Sequence, residues 1–136
     1  MPNQPDAGLP NEQKYTVMAI AGDEVVRDEV TGLIWQRQMS VARLSWPDAV
    51  TYCQGLTLAG WDDWRLPSRI ELVTLLDLTH ADPALNQAAF PDVHGEWLWT
   101  STPQADDPTR SWYVYFYFGY PDTDAQYATY LTRCVR

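Results

Sequence analysis

The sequence predicts an α+β domain in which two helices pack on small antiparallel sheets, with a long irregular loop region after the second helix. Three observations support this class: strand-like segments lie toward both ends of the chain, two helix-start signals lie between them, and prolines interrupt the stretch that follows. Strands and helices that are segregated along the chain are typical of α+β folds rather than of alternating βαβ folds. The 136 residues suffice for one hydrophobic core.

The chain is predicted to begin with a tail. Residues 1–13 have three prolines within the first ten positions, which is typical of a flexible Pro-rich segment, so the domain is expected to span 14–136. The first strands are predicted at 25–28 and 33–36. They flank the short polar turn 29–32, which ends on a glycine, so the two strands are expected to form a hairpin.

The first predicted helix follows a clear start signal. Ser45 is placed to cap it, with Pro47 in its first turn and Asp48 near its positive end. An apolar stripe at helical spacing then puts Cys53 on the inner face. The residues of this stripe are Ala49, Cys53 and Leu56.

The second predicted helix begins at Ser68. Ser68 and Glu71 have the spacing of a capping box, which predicts a helix from this point to about residue 78. Pro83 and Pro91 bracket the irregular chain that follows. Three further strands are predicted at 97–101, 111–118 and 128–135.

The segment 111–118 alternates with period two and supplies the candidate ligand-binding surface. The face with Trp112 and Phe116 is expected to meet the core, which leaves a row of tyrosines on the opposite face. Tyrosine is rigid, amphipathic and loses little entropy on binding, and this suits it to recognition. The predicted ligand-binding residues are Tyr113, Tyr115, Tyr117, Tyr120, Asp122, Asp124 and Tyr127. The alternative is that this row packs against another layer of the domain or a second subunit.

Charge and hydropathy exclude several kinds of partner. The net charge of −9 leaves no basic stripe for phosphates, so no nucleic acid is expected as a partner, and sulfated polysaccharides and anionic lipid are disfavoured equally. A neutral sugar, a cationic surface or another protein is the expected kind of ligand. No apolar run reaches the length of a membrane span, so no direct membrane insertion is expected.

The sequence contains no constellation that predicts an enzyme or a cofactor. His80 and His94 lie in no nucleophile or metal signature. Asp62, Asp63 and the acidic pair in 122–124 carry the oxygen ligands that calcium prefers. We nevertheless expect no metal site, because one of the first two aspartates is better explained by local backbone capping or by an ion pair with Arg65.

Four motifs in a fixed order carry a family resemblance. They are 31–37 (TGLIWQR), 60–72 (GWDDWRLPSRIEL), 97–103 (WLWTSTP) and 130–136 (YLTRCVR). Together they resemble the Lcl C-terminal domain family, also called DUF1566 and named after a bacterial collagen-like adhesin. The resemblance runs from about residue 25 to the last residue.

The resemblance implies a C-type-lectin-like fold and its disulfide, here Cys53 with Cys134. Such a bond joins the first helix to the last strand and closes a loop of about eighty residues, which contributes roughly 4 to 5 kcal/mol in the chain-entropy model. The alternative is two buried free thiols in a cytosolic protein. The arginines of the motifs, Arg65 and Arg133, are expected to form structural ion pairs or to bond main-chain carbonyls rather than to bind a ligand. The motif tryptophans expected in the core are Trp35, Trp64, Trp99 and Trp112.

The function implied by the resemblance is non-catalytic. It is a ligand-recognition or adhesion module of an exported bacterial protein, secreted, periplasmic or on the cell surface, that binds a glycan or a protein. The resemblance to the trimeric Lcl-type relatives implies that a homo-oligomer, a trimer, is one expected form. Two other classes stay open: a structural or assembly module of a surface protein, and an enzyme of the formylglycine-generating type, which shares the broad fold but uses a nearby pair of cysteines.

Overall fold

The computed structural model describes Gln4, Gly8 and residues 11–93 and 95–136. Its elements are β1 (Tyr15–Ile20), β2 (Asp23–Asp28), β3 (Ile34–Gln36), α1 (Trp46–Gln54), α2 (Arg69–Val73), β4 (Trp97–Gln104), β5 (Asp107–Tyr115) and β6 (Tyr120–Ala125). The strands form two three-stranded antiparallel sheets, ordered β1-β2-β3 and β4-β5-β6. Within the described residues no helix is both long and apolar enough to cross a membrane. Most of the predicted tail, 1–13, lies outside the described residues.

The first sheet is a hairpin extended by a third strand. A two-residue turn at 21–22 joins β1 to β2, and both of its residues have positive φ, 52° and 85°. Such a turn matches the right-handed twist of a hairpin. The C-terminal segment closes the far side of β3, where the N–H of Gln36 donates to Cys134 O at 3.0 Å. Val25 and Val26 point to opposite faces of β2 and both are fully buried, so core lies on both faces of this sheet.

Helix α1 begins where its start signal places it. Ser45 occupies the N-cap position in extended conformation, with a proline in the first turn, although its side chain makes no cap bond. The helix ends at Gly55, after nine residues. Ala49 and Cys53 are fully buried, so the predicted inner face is confirmed.

Helix α2 has the predicted capping box but is much shorter than predicted. Ser68 Oγ accepts a hydrogen bond from the N–H of Glu71 at 3.2 Å, and the Glu71 carboxylate accepts in return from the N–H of Ser68 at 2.9 Å. The regular helix covers only five residues. The side-chain amide of Gln13 donates to the carbonyls of Thr74 and Leu76, both at 2.8 Å. These tertiary bonds satisfy carbonyls just after the helix ends at Val73, where the chain turns away.

The second sheet differs from the predicted strands at both ends. β4 begins where predicted, and β5 overlaps the predicted strand 111–118 but begins and ends earlier, so that 116–118 lie in a turn. β6 occupies a stretch between the predicted strands that is expected to be a loop. Its sequence, YPDTDA, is poor in strand formers, and only pairing with β5 makes it a strand. The predicted strand at 128–135 instead touches its neighbours through single bridges, such as Leu44 with Tyr130 and Leu98 with Leu131.

The predicted α+β, C-type-lectin-like fold with two packed helices is therefore wrong. The described residues are mainly β, with two small antiparallel sheets and two short helices. The physical reason is that tertiary hydrogen bonds add two strands that local sequence does not signal, β1 and β6, while they end α2 after little more than one turn.

Two buried clusters form the core. The first surrounds Trp35, Phe90 and Phe116 between the sheets, and the second surrounds Trp64 and Trp99. The disulfide implied by the resemblance is present in the second cluster, where it joins α1 to the C-terminal segment. Cys53 and Cys134 are bonded, with their Cα atoms 5.5 Å apart.

Candidate ligand-binding surface

The register of the second sheet brings three aromatic side chains into a row. Trp97 of β4 lies opposite Tyr115 of β5, which lies opposite Tyr120 of β6. Residues that are opposite one another in a sheet share a face, and these rings are in contact. The ring centroids of Trp97 and Tyr115 are 5.3 Å apart and those of Tyr115 and Tyr120 are 5.4 Å apart, both edge to face. We call Trp97, Tyr115 and Tyr120 the aromatic row.

The aromatic row is open to solvent and continues beyond the end of β5. Trp97 is 38% exposed, Tyr120 is 45% exposed, and Tyr115 is half-buried. Tyr117 stacks near Tyr115 with ring centroids 6.0 Å apart, and Phe118 beside it is 64% exposed. The five rings form one continuous aromatic surface at the end of the sheet.

Tyr113 lies in a second, buried row on the same face. It pairs with Trp99 of β4 and with Asp122 of β6, and it is only 9% exposed. The ring of Tyr130 covers it, with centroids 5.2 Å apart, and the ring of Trp97 stacks on it with centroids 5.5 Å apart. Tyr113 therefore packs inside the domain, as the alternative to ligand binding predicts. The other predicted tyrosines each keep a side that is open to solvent.

The two aspartates of β6 are engaged by their own strand. Asp122 is exposed, and its Oδ1 accepts from the N–H of Thr123 at 2.8 Å. Asp124 accepts from the N–H of Ala125 at 2.7 Å and also from the hydroxyl of Tyr130. Asp122 keeps one carboxylate oxygen free of any bond within the described residues. Tyr127, the last predicted site residue, is 87% exposed and contacts no other ring of the described chain.

A depression of about 270 Å³ lies beside the aromatic row, lined by Arg43, Gly95, Glu96, Trp97 and Tyr115. Arg43 and Glu96 form an ion pair at 2.9 Å between Nη2 and Oε2. Gly95 has φ of 78°, and a Cβ there would lie 2.8 Å from Cδ2 of Tyr117. Only glycine therefore lets the backbone approach this ring so closely. The depression offers a hydrogen-bonding ion pair next to apolar ring surface.

The buried phenols of the second row stay neutral far into the alkaline range. Burial, and then the charge of Asp122, raise the pKa of Tyr113 to about 12. Burial and the hydrogen bond to Asp124 also raise the pKa of Tyr130. Both shifts have the same cause, because a phenolate between buried rings and carboxylates is poorly solvated and repelled.

We expect this pair to make the fold sensitive to alkali above pH 10. A phenol with a folded pKa above its unfolded value of 10.0 contributes stability that is complete below pH 10 and is lost as the pH rises through the folded value, about 12 for Tyr113. Urea unfolding between these pH values should show a falling free energy of unfolding. Tyr113→Phe, which cannot ionise, should show a shallower fall, and an unchanged slope would contradict the assignment.

The charged residues of the motifs are structural. Arg65 makes two bonds of 2.7 Å to the Glu71 carboxylate, and Arg133 is buried against main-chain carbonyls. Asp63 does pair with an arginine, but with Arg136 at 2.6 Å rather than with Arg65. The pair Arg65–Glu71 lowers the pKa of the Glu71 carboxyl. These contacts occupy the guanidinium groups internally, as the sequence predicts for Arg65 and Arg133.

The histidines and the acidic pairs assemble no metal site that the structure describes. His80 lies 3.7 Å from Asp77 at the surface, and His94 lies outside the described residues. Within 11–93 and 95–136, no three His, Cys, Asp or Glu side chains converge as ligands. The expectation that no metal or cofactor is needed stays a prediction.

Trp97 is not among the predicted site residues, and Trp112 lies nearer the surface than predicted. Trp112 is half-buried, and the guanidinium of Arg69 covers its ring at 4.4 Å. Trp97 had a detectable signal, since it shares parity with Trp99 in a predicted strand and therefore shares its face. What the sequence lacks is the register that puts Trp97 opposite Tyr115. The motif tryptophans that are buried as predicted are Trp35, Trp64 and Trp99.

Comparison with other proteins identifies the family. No curated protein matches the chain. The model of the Lcl C-terminal domain matches residues 24–136, which include every strand of the second sheet and both cysteines. Because this match covers far more than half of the sequence, the chain belongs to the Lcl C-terminal domain family.

Proposed function

We propose that this domain is a non-catalytic recognition module that binds a neutral saccharide through the aromatic row. The observation that carries the proposal is the cross-strand row of Trp97, Tyr115 and Tyr120, which is exposed at one end of the sheet. Flat rings in this arrangement match the C–H faces of sugar rings. The adjoining depression supplies donors and acceptors for hydroxyl groups.

The rings of the row are held in place before any ligand arrives. Each contacts its neighbour edge to face, and Gly95 packs closely against Tyr117, whose ring lies beside that of Tyr115. A surface that is already ordered loses little conformational entropy on binding, so more of the contact free energy contributes to affinity. A rigid surface of this kind is better suited to ligand recognition than a surface that becomes ordered only on binding.

The charges around the row favour a neutral ligand. Glu96 is paired with Arg43, so that pair adds hydrogen-bonding groups without a net charge. Asp122 at the rim and the net charge of −9 repel sulfate and carboxylate groups. Hydroxyl-rich, uncharged sugars face neither repulsion.

The domain works outside the cytosol, as part of an exported bacterial protein. The support for this part of the proposal is the Cys53–Cys134 disulfide, since such bonds persist in oxidising compartments and are rare in the cytosol. The direct test is thiol alkylation of protein taken from its native source without reductant. Recovery of both cysteines as alkylated thiols would contradict it.

The ligand proposal is tested with a glycan array that includes neutral, sialylated and sulfated sugars, in calcium and in EDTA. The best neutral ligand is then titrated by calorimetry. Tyr120→Ser is expected to weaken binding about tenfold, or roughly 1.4 kcal/mol, with little change in melting temperature. Tyr127→Ser is the matched control, because it removes an even more exposed tyrosine outside the row and should leave affinity unchanged.

Two outcomes would move the function to another class. Equal losses in Tyr120→Ser and Tyr127→Ser would show that the row is not the site. A blank array with folded, disulfide-bonded protein would favour a protein ligand or an assembly role for the same aromatic surface. Signal lost in EDTA would contradict the expectation that no calcium is needed.

A further inference from the structure

The outer edge of β6 is closed to further strand pairing. Its outward-facing residues are Pro121, which has no N–H, Thr123 and Ala125. The N–H groups of Thr123 and Ala125 are each bonded by the aspartate that precedes them, at 2.8 and 2.7 Å. Arg110 bonds the Thr123 carbonyl at 2.8 Å. A proline and charged side chains protect sheet edges against association.

Two other strand edges are covered by the chain itself. On β3, the N–H of Ile34 donates to Arg136 O at 2.8 Å, and the N–H of Arg136 donates back to Ile34 O at 2.9 Å. On β4, the N–H of Trp99 donates to Leu131 O at 3.2 Å, and the N–H of Ser101 donates to Pro67 O at 2.7 Å. Neither edge is available to a partner strand.

Strand β1 is different, because the described residues leave its outer edge unpaired. The two-residue turn makes Ile20 and Asp23 the hydrogen-bonded pair that flanks it, so alternate residues of β1 face away from β2. The N–H of Glu29 donates to Lys14 O at 2.9 Å, which agrees with the even-numbered residues of this segment bonding toward β2 and the odd-numbered ones facing away. The outward N–H and C=O groups belong to Tyr15, Val17 and Ala19, and no bond to them occurs within the described residues.

From these edges we propose that β1 pairs antiparallel with β1 of a second copy of this chain, extending the first sheet across a two-fold axis at Val17. In that register Val17 lies opposite Val17 of the other copy, and Tyr15 lies opposite Ala19. The outward N–H and C=O groups of the two strands then satisfy each other, as in any antiparallel ladder. This inference is independent of the saccharide proposal, since β1 and the aromatic row lie in different sheets.

The composition of β1 selects a second copy as the occupant. In this self-pair Val17 lies opposite its own counterpart, and Thr16 lies opposite Met18, so a charged residue at the axis would meet a like charge. Residues 15–22 carry no charged side chain, although the chain has 27 charged residues, of which 9 are Lys or Arg and 18 are Asp or Glu. Val17 at the axis is apolar and 41% exposed. The remaining repulsion comes from the net charge of −9, so salt should strengthen the association.

The proposal predicts a weak dimer that strengthens with salt and depends on Val17. Pairing of one short strand buries less area than stable interfaces do, so sedimentation should show mass rising with concentration. Val17→Lys places like charges on the axis and is expected to raise the dimer dissociation constant about tenfold or more. Val41→Lys is the matched control, since it makes the same change at a fully exposed valine elsewhere and should leave the dimer intact.

A second measurement needs no substitution. Amide hydrogen exchange at low and high concentration should show added protection at Tyr15, Val17 and Ala19, whereas Thr16, Met18 and Ile20, bonded to β2, should be protected at both. A monomer at all concentrations, a trimer insensitive to Val17→Lys, or unchanged exchange at Val17 would each overturn the proposal. Equal weakening by Val41→Lys would do so as well. Protection only in the presence of an added extended peptide would show that another segment, not a second copy, occupies this edge.

Discussion

Replacing Cys53 and Cys134 together by alanine is expected to lower the free energy of unfolding by about 4 to 5 kcal/mol. The bond spans a sequence separation of 81 residues, and closing so long a loop removes much conformational entropy from the unfolded chain. The loss is large compared with the 5 to 15 kcal/mol, roughly, by which domains are stable. Urea unfolding of the variant and of the wild type measures it.

Reduction of the wild-type protein separates chain entropy from packing. Both cysteines are fully buried, so the alanine variant loses side-chain contacts as well as the bond. Unfolding in dithiothreitol keeps the sulfur atoms and removes only the link, so it should show most of the loss. A reduced protein within about 1 kcal/mol of the oxidised one would contradict the chain-entropy account.

Replacing Arg133 by methionine is expected to cost about 3 to 5 kcal/mol, the second large effect. Its guanidinium is buried, donates to Gln36 O at 2.6 Å and pairs with Asp92 at 2.8 Å. The ring of Phe90 lies 4.7 Å beneath it. Removal takes this donor from the main-chain carbonyls and leaves the Asp92 carboxylate with only its bond from the Met39 N–H. Buried polar groups that lose a partner are costly.

The comparison variants for Arg133 test burial rather than charge. Arg27→Met removes a guanidinium whose side chain is 53% exposed and lies 3.9 Å from Glu29, so its effect should be far smaller. Asp92→Asn keeps an acceptor of the same shape and should cost less than Arg133→Met. Equal costs for Arg133→Met and Arg27→Met, read from urea unfolding, would show that the buried pair contributes little.

Several elements could be predicted because their signals are local. The capping box of Ser68 and Glu71 forms as predicted, since its bonds join residues three positions apart. The hairpin at 25–36 also forms as predicted, because its turn signal is local. The turn lies at Gly32, where the sequence indicates it. The inner face of α1 follows from helical spacing alone.

The errors arise where distant parts of the chain decide the structure. β6 has a proline and two aspartates in a six-residue strand, and it is a strand only because β5 lies beside it. α2 ends after five residues while Gln13, sixty positions earlier, bonds the carbonyls that follow it. Long-range pairing of this kind leaves no local signal, which is why the predicted class was α+β and the observed one is mainly β.

The same division holds for the candidate site. From the sequence, 111–118 is predicted to be a strand with tyrosines on one face, and 111–115 does lie in β5 with Tyr113 and Tyr115 on one face. The motifs also indicate the family. Which tyrosines meet solvent depends on contacts with remote segments, because Tyr130 folds over Tyr113 but not over Tyr115. Only the register added Trp97 to the row. Alternation fixes which side chains share a face of a strand, whereas the packing of remote segments fixes how much of that face is covered.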